Sequence, residues 1–261
     1  MRVWKIRGKI YTEGCHIVAH DECDYNALSA INALQHCEIR DGRVLIIGCN
    51  TGLDCSYFLQ AGAKEIHGVD VLDEIGRDLR HENVQYHKRS AENMACFSDD
   101  TFDLVYAIAT LEHIPDIDAV FREMYRVCRQ GGTIFSLSAP LWHSRFGHHK
   151  ADLFMDYPWI HLLLSHDQII DWFIRHKAQE MASMTTEIKY HVEYMLNKNF
   201  FNMRPARDYI TACESLGAEI VCNQIEYESE ELLTSEAKNR LLGVYDMEEL
   251  LGVTHRFIAR K

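Results

Sequence analysis

Two glycines and one acid suggest the first chemistry. In residues 43–70, RVLIIGCNTGLDCSYFLQAGAKEIHGVD, an apolar run from Val44 to Ile47 breaks into Gly48-Cys49-Asn50-Thr51-Gly52. A second apolar run, Ile66 to Val69, ends on Asp70. Glycine at such a turn lets a ligand approach the backbone with no Cβ in the way. The N–H groups that open the following helix offer donors to a carboxylate or phosphate. An acid at the tip of the neighbouring strand can accept hydrogen bonds from two ribose hydroxyls. Together these describe a nucleoside-cofactor site. A dinucleotide fold wants G-x-G-x-x-G, whose second glycine admits a pyrophosphate; here Asn50 holds that position and the pattern is G-x-x-x-G.

A second group of residues lies further along. Residues 141–166 hold His143, His148, His149, His161 and His166, interleaved with Asp152, Asp156, Tyr157 and Trp159. A neutral imidazole can accept a proton or bind a metal near pH 7. Three readings stand side by side: a polar, partly buried loop, an acceptor pocket with a histidine such as His143 or His148 as base, or a divalent-metal site on His148, His149 and His161. Against the metal, the stretch has no H-x-x-x-H or H-x-H spacing. Cys15, His16, His20 and Cys23 are close enough for a structural zinc but lack a C-x-x-C, so plain packing or active-site lining competes with it.

The elements that must position these residues follow from periodicity. Apolar residues at helical spacing predict a helix over 24–37. Thr51 is expected to cap a helix over 53–60 that Gly62 ends, and further helices are expected over 73–81 and 117–129, the latter stopped by Gly131-Gly132. Strands are expected at 84–87, 101–109 and 133–138. Beyond a loop at 143–158, helices are expected at 165–177, 185–196, 205–215 and 229–242, and strands at 218–227 and 254–260. Strand alternating with helix argues for an α/β, doubly wound parallel sheet.

Composition narrows the class. The 261 residues carry a net charge of -12 without a long Lys/Arg run, which speaks against a nucleic-acid partner. No apolar h-region follows the basic start and no run of 18 apolar residues occurs, so neither a signal peptide nor a membrane span is expected. Nine scattered cysteines suit reduced thiols in a cytoplasmic protein. The length suits one substantial core with embellishments.

Several stretches, in order, resemble class I S-adenosyl-L-methionine (SAM) methyltransferases. Gly48 to Gly52 resembles the family's SAM loop, although Ile46 stands where an acid is common and Asn50 replaces the middle glycine. Asp70 matches its ribose-binding acid, and Ser90-Ala91-Glu92 the segment bordering the adenine. Phe102-Asp103-Leu104-Val105 with Leu111-Glu112-His113-Ile114 resembles the fourth-strand motif, and Arg129-Gln130-Gly131-Gly132-Thr133 the turn into the fifth strand. The resemblance implies a seven-stranded Rossmann-like methyltransferase sheet in one domain over 1–261. An N-terminal segment and helix would occupy 1–38, and a helical, His-rich cap would be inserted after the fifth strand at 141–204.

By resemblance, Gly48, Asn50, Thr51 and Gly52 would meet the methionine carboxylate or ribose. Asp70 would hold the ribose diol with Val71 beside it, Ala91 and Glu92 would border the adenine, and Ala107 to Thr110 would line the methyl-transfer face. His113 would pack beside the cofactor or cap the next helix, with a general-base role as the alternative. The implied cofactor is SAM, with no metal, and the implied activity is methyl transfer to a small molecule at a hydroxyl oxygen. Nitrogen or carbon acceptors, and a catalytically inactive regulatory or scaffolding protein, remain alternatives. A nicotinamide oxidoreductase is disfavoured by the missing second glycine.

Overall fold

The computed structural model describes residues 3–6, 9–12, 25–177, 179, 184 and 186–261. The Cys15, His16, His20, Cys23 group lies outside them. A short antiparallel hairpin, β1 (Val3–Ile6) and β2 (Lys9–Thr12), precedes helix α1 (Tyr25–His36). The sheet contains β3 (Arg43–Ile47), β4 (Glu65–Asp70), β5 (Val84–Lys88), β6 (Phe102–Ile108), β7 (Cys128–Ser138), β8 (Glu219–Tyr227) and β9 (Gly252–Arg260). Their order across the sheet is β5-β4-β3-β6-β7-β9-β8, with the first five parallel and β9 antiparallel to both of its neighbours. This is the expected seven-stranded Rossmann-like arrangement.

The central strands are apolar on both faces because helices cover both. In β3, Val44, Leu45, Ile46 and Ile47 are all buried. One face packs against α3 (Ile117–Val127) through Ile117, Val120, Phe121, Met124 and Val127, a stripe at helical spacing. The other packs against α1 and α2 (Cys55–Gln60). Chain order reverses between β3 and β6, so connections leave this point toward opposite faces and open a crevice at the carboxyl ends of the strands.

After β7 comes the cap: α4 (Ala151–Phe154), α5 (Ile160–Leu163), α6 (His166–His176) and α7 (Ile188–Met195). Phe154, Ile160, Ile169, Phe173, Ile188, Val192 and Met195 give it a small core of its own. Helix α8 (Ala206–Glu214) then returns to the sheet. Between β8 and β9, α9 (Ser235–Leu241) and α10 (Met247–Leu251) enclose Trp159 and Leu163 from the cap. The expected helix over 229–242 is thus a single 3-10 turn at Glu230–Leu232 followed by α9, which Thr234 caps.

Three local expectations fail for identifiable reasons. Thr51 caps nothing: α2 starts only at Cys55, after a turn in which the Cys55 N–H bonds to Gly52 O. Gly131-Gly132 does not stop α3, which ends at Val127. Both glycines lie inside β7, where pairing with β6 slips between Phe102 and Leu104. Residues 73–81 form turns rather than a helix. Gly76 adopts φ +67° there, its N–H donates to Asn50 O at 3.0 Å, and the Asp78 N–H donates to Thr51 O at 2.9 Å. The segment is bound to the glycine loop rather than to itself.

An added Cβ at Gly76 would lie 2.3 Å from the Tyr86 ring. Gly76→Ala is therefore expected to destabilise the protein by about 1–3 kcal/mol in urea unfolding. In a helix over 73–81 the same change would stabilise by about 1 kcal/mol, so the sign distinguishes the two.

Candidate functional site

A cavity of about 470 Å³ opens where β3, β4, β5 and β6 end, at the crevice that the strand order creates. Two loops converge at its floor. Gly48 holds φ +72°, and a Cβ there would fall 2.0 Å from Thr110 Oγ1 on the loop after β6. Asn50 holds φ +47°, a left-handed conformation that asparagine tolerates better than most residues. That accounts for asparagine in place of a glycine.

Asp70 ties the loop to β4. Its Oδ2 accepts from the Asn50 N–H at 2.8 Å and its Oδ1 from the Leu72 N–H at 3.1 Å. Each oxygen keeps a lone pair for a further donor. Next to it, Val71 and Leu72 are apolar yet 64% and 44% exposed on the cavity rim, facing the same space as Ala91, Ile114 and Pro115. Glu92 also lines the cavity, and its carboxylate is held: Oε1 accepts from the Asp116 N–H at 2.9 Å and Oε2 from the Ser90 hydroxyl at 2.7 Å. It joins the exit of β5 to the start of α3. Arg89 Nε is buried in the same wall without an acceptor.

A carboxylate with spare lone pairs, apolar surface left uncovered beside it and an unspent donor fit a nucleoside bearing a charged tail. The volume lies within the range of small-ligand sites, about 300–1,000 Å³.

Not every expected residue is there. Gly48, Asn50, Asp70, Val71, Ala91, Glu92 and His113 line the cavity. Thr51 and Gly52 turn away from it. The Thr51 side chain hydrogen-bonds Asp78, while the Gly52 N–H is spent on Cys49 O at 2.8 Å and its Cα packs beneath Tyr86. Of the expected stretch Ala107 to Thr110, Ala107 is fully buried inside the sheet core, while Ala109 and Thr110, past the strand end, line the cavity.

The histidines separate in the same way. His113 sits on a 3-10 turn, Leu111–His113, with Nδ1 3.0 Å from Phe200 O and its ring against Phe200 and Phe201. Burial lowers its pKa, so it is a neutral imidazole at pH 7. His149 crosses it edge-on at 5.0 Å. His143 and His148 do not line the cavity. His143 points at Glu249, with Nδ1 2.9 Å from Oε1 but out of hydrogen-bond geometry, and burial pushes it down to about 4. His148 is completely buried among Phe146, Phe154 and His161, its Nδ1 accepting from the Lys150 N–H. His161 Nε2 bonds to Trp142 O at 2.8 Å. His148, His149 and His161 therefore do not form a three-ligand cluster.

Periodicity and motif reading passed over three groups here. Arg89 and Phe200 carry no local signal. Glu112 was visible, in the Leu111-Glu112-His113-Ile114 string, but nothing in the string shows that its side chain is buried. Burial raises its pKa to about 8, tempered by the backbone N–H groups of Glu112, Ala139 and Thr110. Asn202 fastens this turn from outside, donating from Nδ2 to Leu111 O and Ile114 O while its own N–H bonds Glu112 O.

Residues 45–136 match the model of a methyltransferase domain family. Over that stretch, about a third of the chain, the sequence is similar to methyltransferases. Methyltransferase GfsG of Streptomyces halstedii is 33% identical over 35% of the chain and 36% of the relative. A ubiquinone biosynthesis O-methyltransferase of Pseudomonas fluorescens is 28% identical over 44% of the chain and 54% of the relative. The matches thus span about half or less of these relatives' lengths.

Solved structures share the fold at low identity. An S-adenosylmethionine-dependent methyltransferase from Mesorhizobium loti superposes with TM-score 0.51 at 12% identity, covering 86% of this chain and 93% of that one. Phosphoethanolamine N-methyltransferase 2 of Haemonchus contortus, in complex with SAM, gives TM-score 0.51 at 13% identity, covering 90% and 52%. Among the described residues no helix is long and apolar enough to cross a membrane, and no disulfide forms among the described cysteines.

The buried histidines of the cap are expected to make the fold acid-sensitive. His161 is pushed down to about 3 and His143 to about 4 in the folded state, against about 6.5 unfolded. Between those values the unfolded chain binds more protons, so stability is complete above about pH 6.5 and is lost as pH falls toward 4. The urea midpoint is expected to drop over that range, and His161→Gln is expected to flatten the slope relative to wild type.

Proposed function

We propose that the protein transfers a methyl group from SAM to a small-molecule acceptor at a hydroxyl oxygen. The observation that carries this reading is the cavity itself. Asp70 and the uncovered Val71 and Leu72 lie along one side, and the neutral imidazole of His113 lies on the other. When bound, SAM supplies a methyl group on a sulfonium sulfur that leaves as a neutral thioether. Asp70 would accept from the ribose hydroxyls, Val71, Leu72 and Ala91 would enclose the base, and Gly48 and Asn50 would let the amino-acid end approach the backbone.

The acceptor would lie against His113 and Phe200 under the cap. Orientation of that kind can supply up to about 7–11 kcal/mol. A hydroxyl acceptor must also lose its proton, and His113, neutral and on the wall, would receive it. The preference for oxygen is supported by the O-methyltransferase relative. A specific observation favours a second reading, a catalytically inactive SAM-fold regulatory or scaffolding protein: the Asn50 and Gly52 N–H groups, expected to meet the cofactor, are already satisfied within the protein.

Asp70→Ala is expected to weaken SAM binding in calorimetry at least about tenfold, the worth of one charge-assisted hydrogen bond or more; an unchanged affinity would remove Asp70 from the site. The wild-type protein, offered SAM and a panel of phenols and aliphatic alcohols, is expected to release S-adenosylhomocysteine with some of them. Failure to bind SAM, or SAM binding without turnover on any acceptor, amines included, would favour the catalytically inactive reading.

A further inference from the structure

We propose that Glu112, His113 and His149 form a binding site for one divalent d-block cation, such as zinc or iron(II), at the acceptor side of the cavity. The three side chains come from two separate segments, the turn after β6 and the loop after β7. One donor atom from each lies within 4.8 Å of the other two, which makes them the one such cluster found among the described residues. A cation about 2.1 Å from each ligand holds tetrahedral donors about 3.4 Å apart, so the widest pair must close by about 1.4 Å at most.

Three independent features point to a ligand. Glu112 is 3% exposed, and neither carboxylate oxygen completes a hydrogen bond of good geometry, although the backbone N–H groups of Glu112, Ala139 and Thr110 lie close by. A buried carboxyl without well-formed hydrogen bonds is costly unless something satisfies it. Each imidazole is also anchored through one nitrogen to a backbone carbonyl, His113 Nδ1 to Phe200 O at 3.0 Å and His149 Nε2 to Pro140 O at 3.2 Å. A carbonyl only accepts, so each anchored nitrogen carries the proton. The lone pairs are left on His113 Nε2 and His149 Nδ1. That is the outer contact that orients metal-binding histidines. Finally, His149 is held at φ +59°, a conformation unusual for histidine that persists only where its surroundings impose it.

Two imidazoles and one carboxylate suit zinc, iron or cobalt better than magnesium, which prefers oxygen ligands. Three protein ligands leave at least one coordination position open, and His113 places it on the cavity. The role of that position rests on the methyl-transfer reading. An acceptor oxygen bound there would be stabilised as its anion, with its proton released to water. His113 would then serve as a ligand rather than as the base. The O–CH3 bond forms as the sulfonium S–CH3 bond breaks, the bonding pair staying on sulfur.

The test uses the full chain stripped with a chelator and then titrated with Co²⁺, followed by its visible d–d bands, and with Zn²⁺, followed by calorimetry. One equivalent of either ion is expected to bind, and Zn²⁺ is expected to raise the melting temperature. Glu112→Gln and His149→Asn should each weaken binding at least tenfold and abolish the thermal shift; asparagine is chosen because it tolerates the positive φ. His166→Ala, at the exposed start of α6, should leave binding unchanged. Melting of the metal-free variants checks that each folds, and should one fail to fold, the other carries the test. A wild-type protein that takes up neither ion, or two folded variants that bind as tightly as wild type, would overturn the site. SAM affinity measured on the metal-free protein separates the two readings. SAM binding without metal uptake removes the cation site alone, and metal uptake without SAM binding removes the methyl-transfer reading alone.

Discussion

The hydrogen bond from the Asn50 N–H to Asp70 is the contact on which the cofactor end of the cavity depends. It joins the loop after β3 to the tip of β4, and it forms only because the parallel register places Ile47 beside Val69. A slip of one residue would turn every side chain of β3 to the other face and carry the loop past the acid. Burial on both faces of the sheet makes such a slip prohibitive. The core and the cavity are therefore one constraint: the apolar side chains that fix register also fix where Asp70 ends up.

The same economy explains the glycines. Gly48 and Gly52 read as openings for a ligand, yet the atoms that a Cβ would strike at each belong to the protein itself, Thr110 at one and Tyr86 at the other. Tyr86 reaches from β5 under Gly52 and Gly76 and donates its hydroxyl proton to Leu79 O at 2.8 Å. The loop is compact because another strand packs into it. A glycine-rich turn thus carries a packing requirement of its own, and of its expected cofactor residues only Gly48 and Asn50 line the cavity.

Much of the fold was legible because it is written in periodicity. The buried strands are short apolar runs, α3 carries a single apolar stripe, and the alternation of the two leaves few topologies. Legibility failed where tertiary contacts decide. Residues 73–81 have helical composition, but Gly76 and the backbone bonds to Asn50 and Thr51 draw them onto the loop. Gly131 and Gly132 look like a helix stop and are instead the slack in a strand whose pairing slips. At the site, Asp70, Ala91 and Glu92 could be placed because each follows a strand end by a fixed offset. Arg89 and Phe200 could not, since nothing local marks a side chain that turns into a cavity formed by distant segments.

The histidine-rich cap shows why residue type alone misleads. Five histidines within 24 residues look like one functional group, but desolvation sorts them. His148 and His161 lie where no carboxylate or solvent can stabilise a charge, and His143, beside Glu249, is pushed down by burial all the same. They are neutral, space-filling and tied to the backbone or to aromatic rings. His149 faces the other way, toward His113 and the buried carboxyl of Glu112. The turn bearing Glu112 is fastened by Asn202 from the far side of the cap. The cap therefore fixes the acid in a place where a lone acid is least stable. The fold spends a side chain, three backbone contacts and a left-handed histidine to hold that arrangement, and His113 brings it to the wall of the cavity.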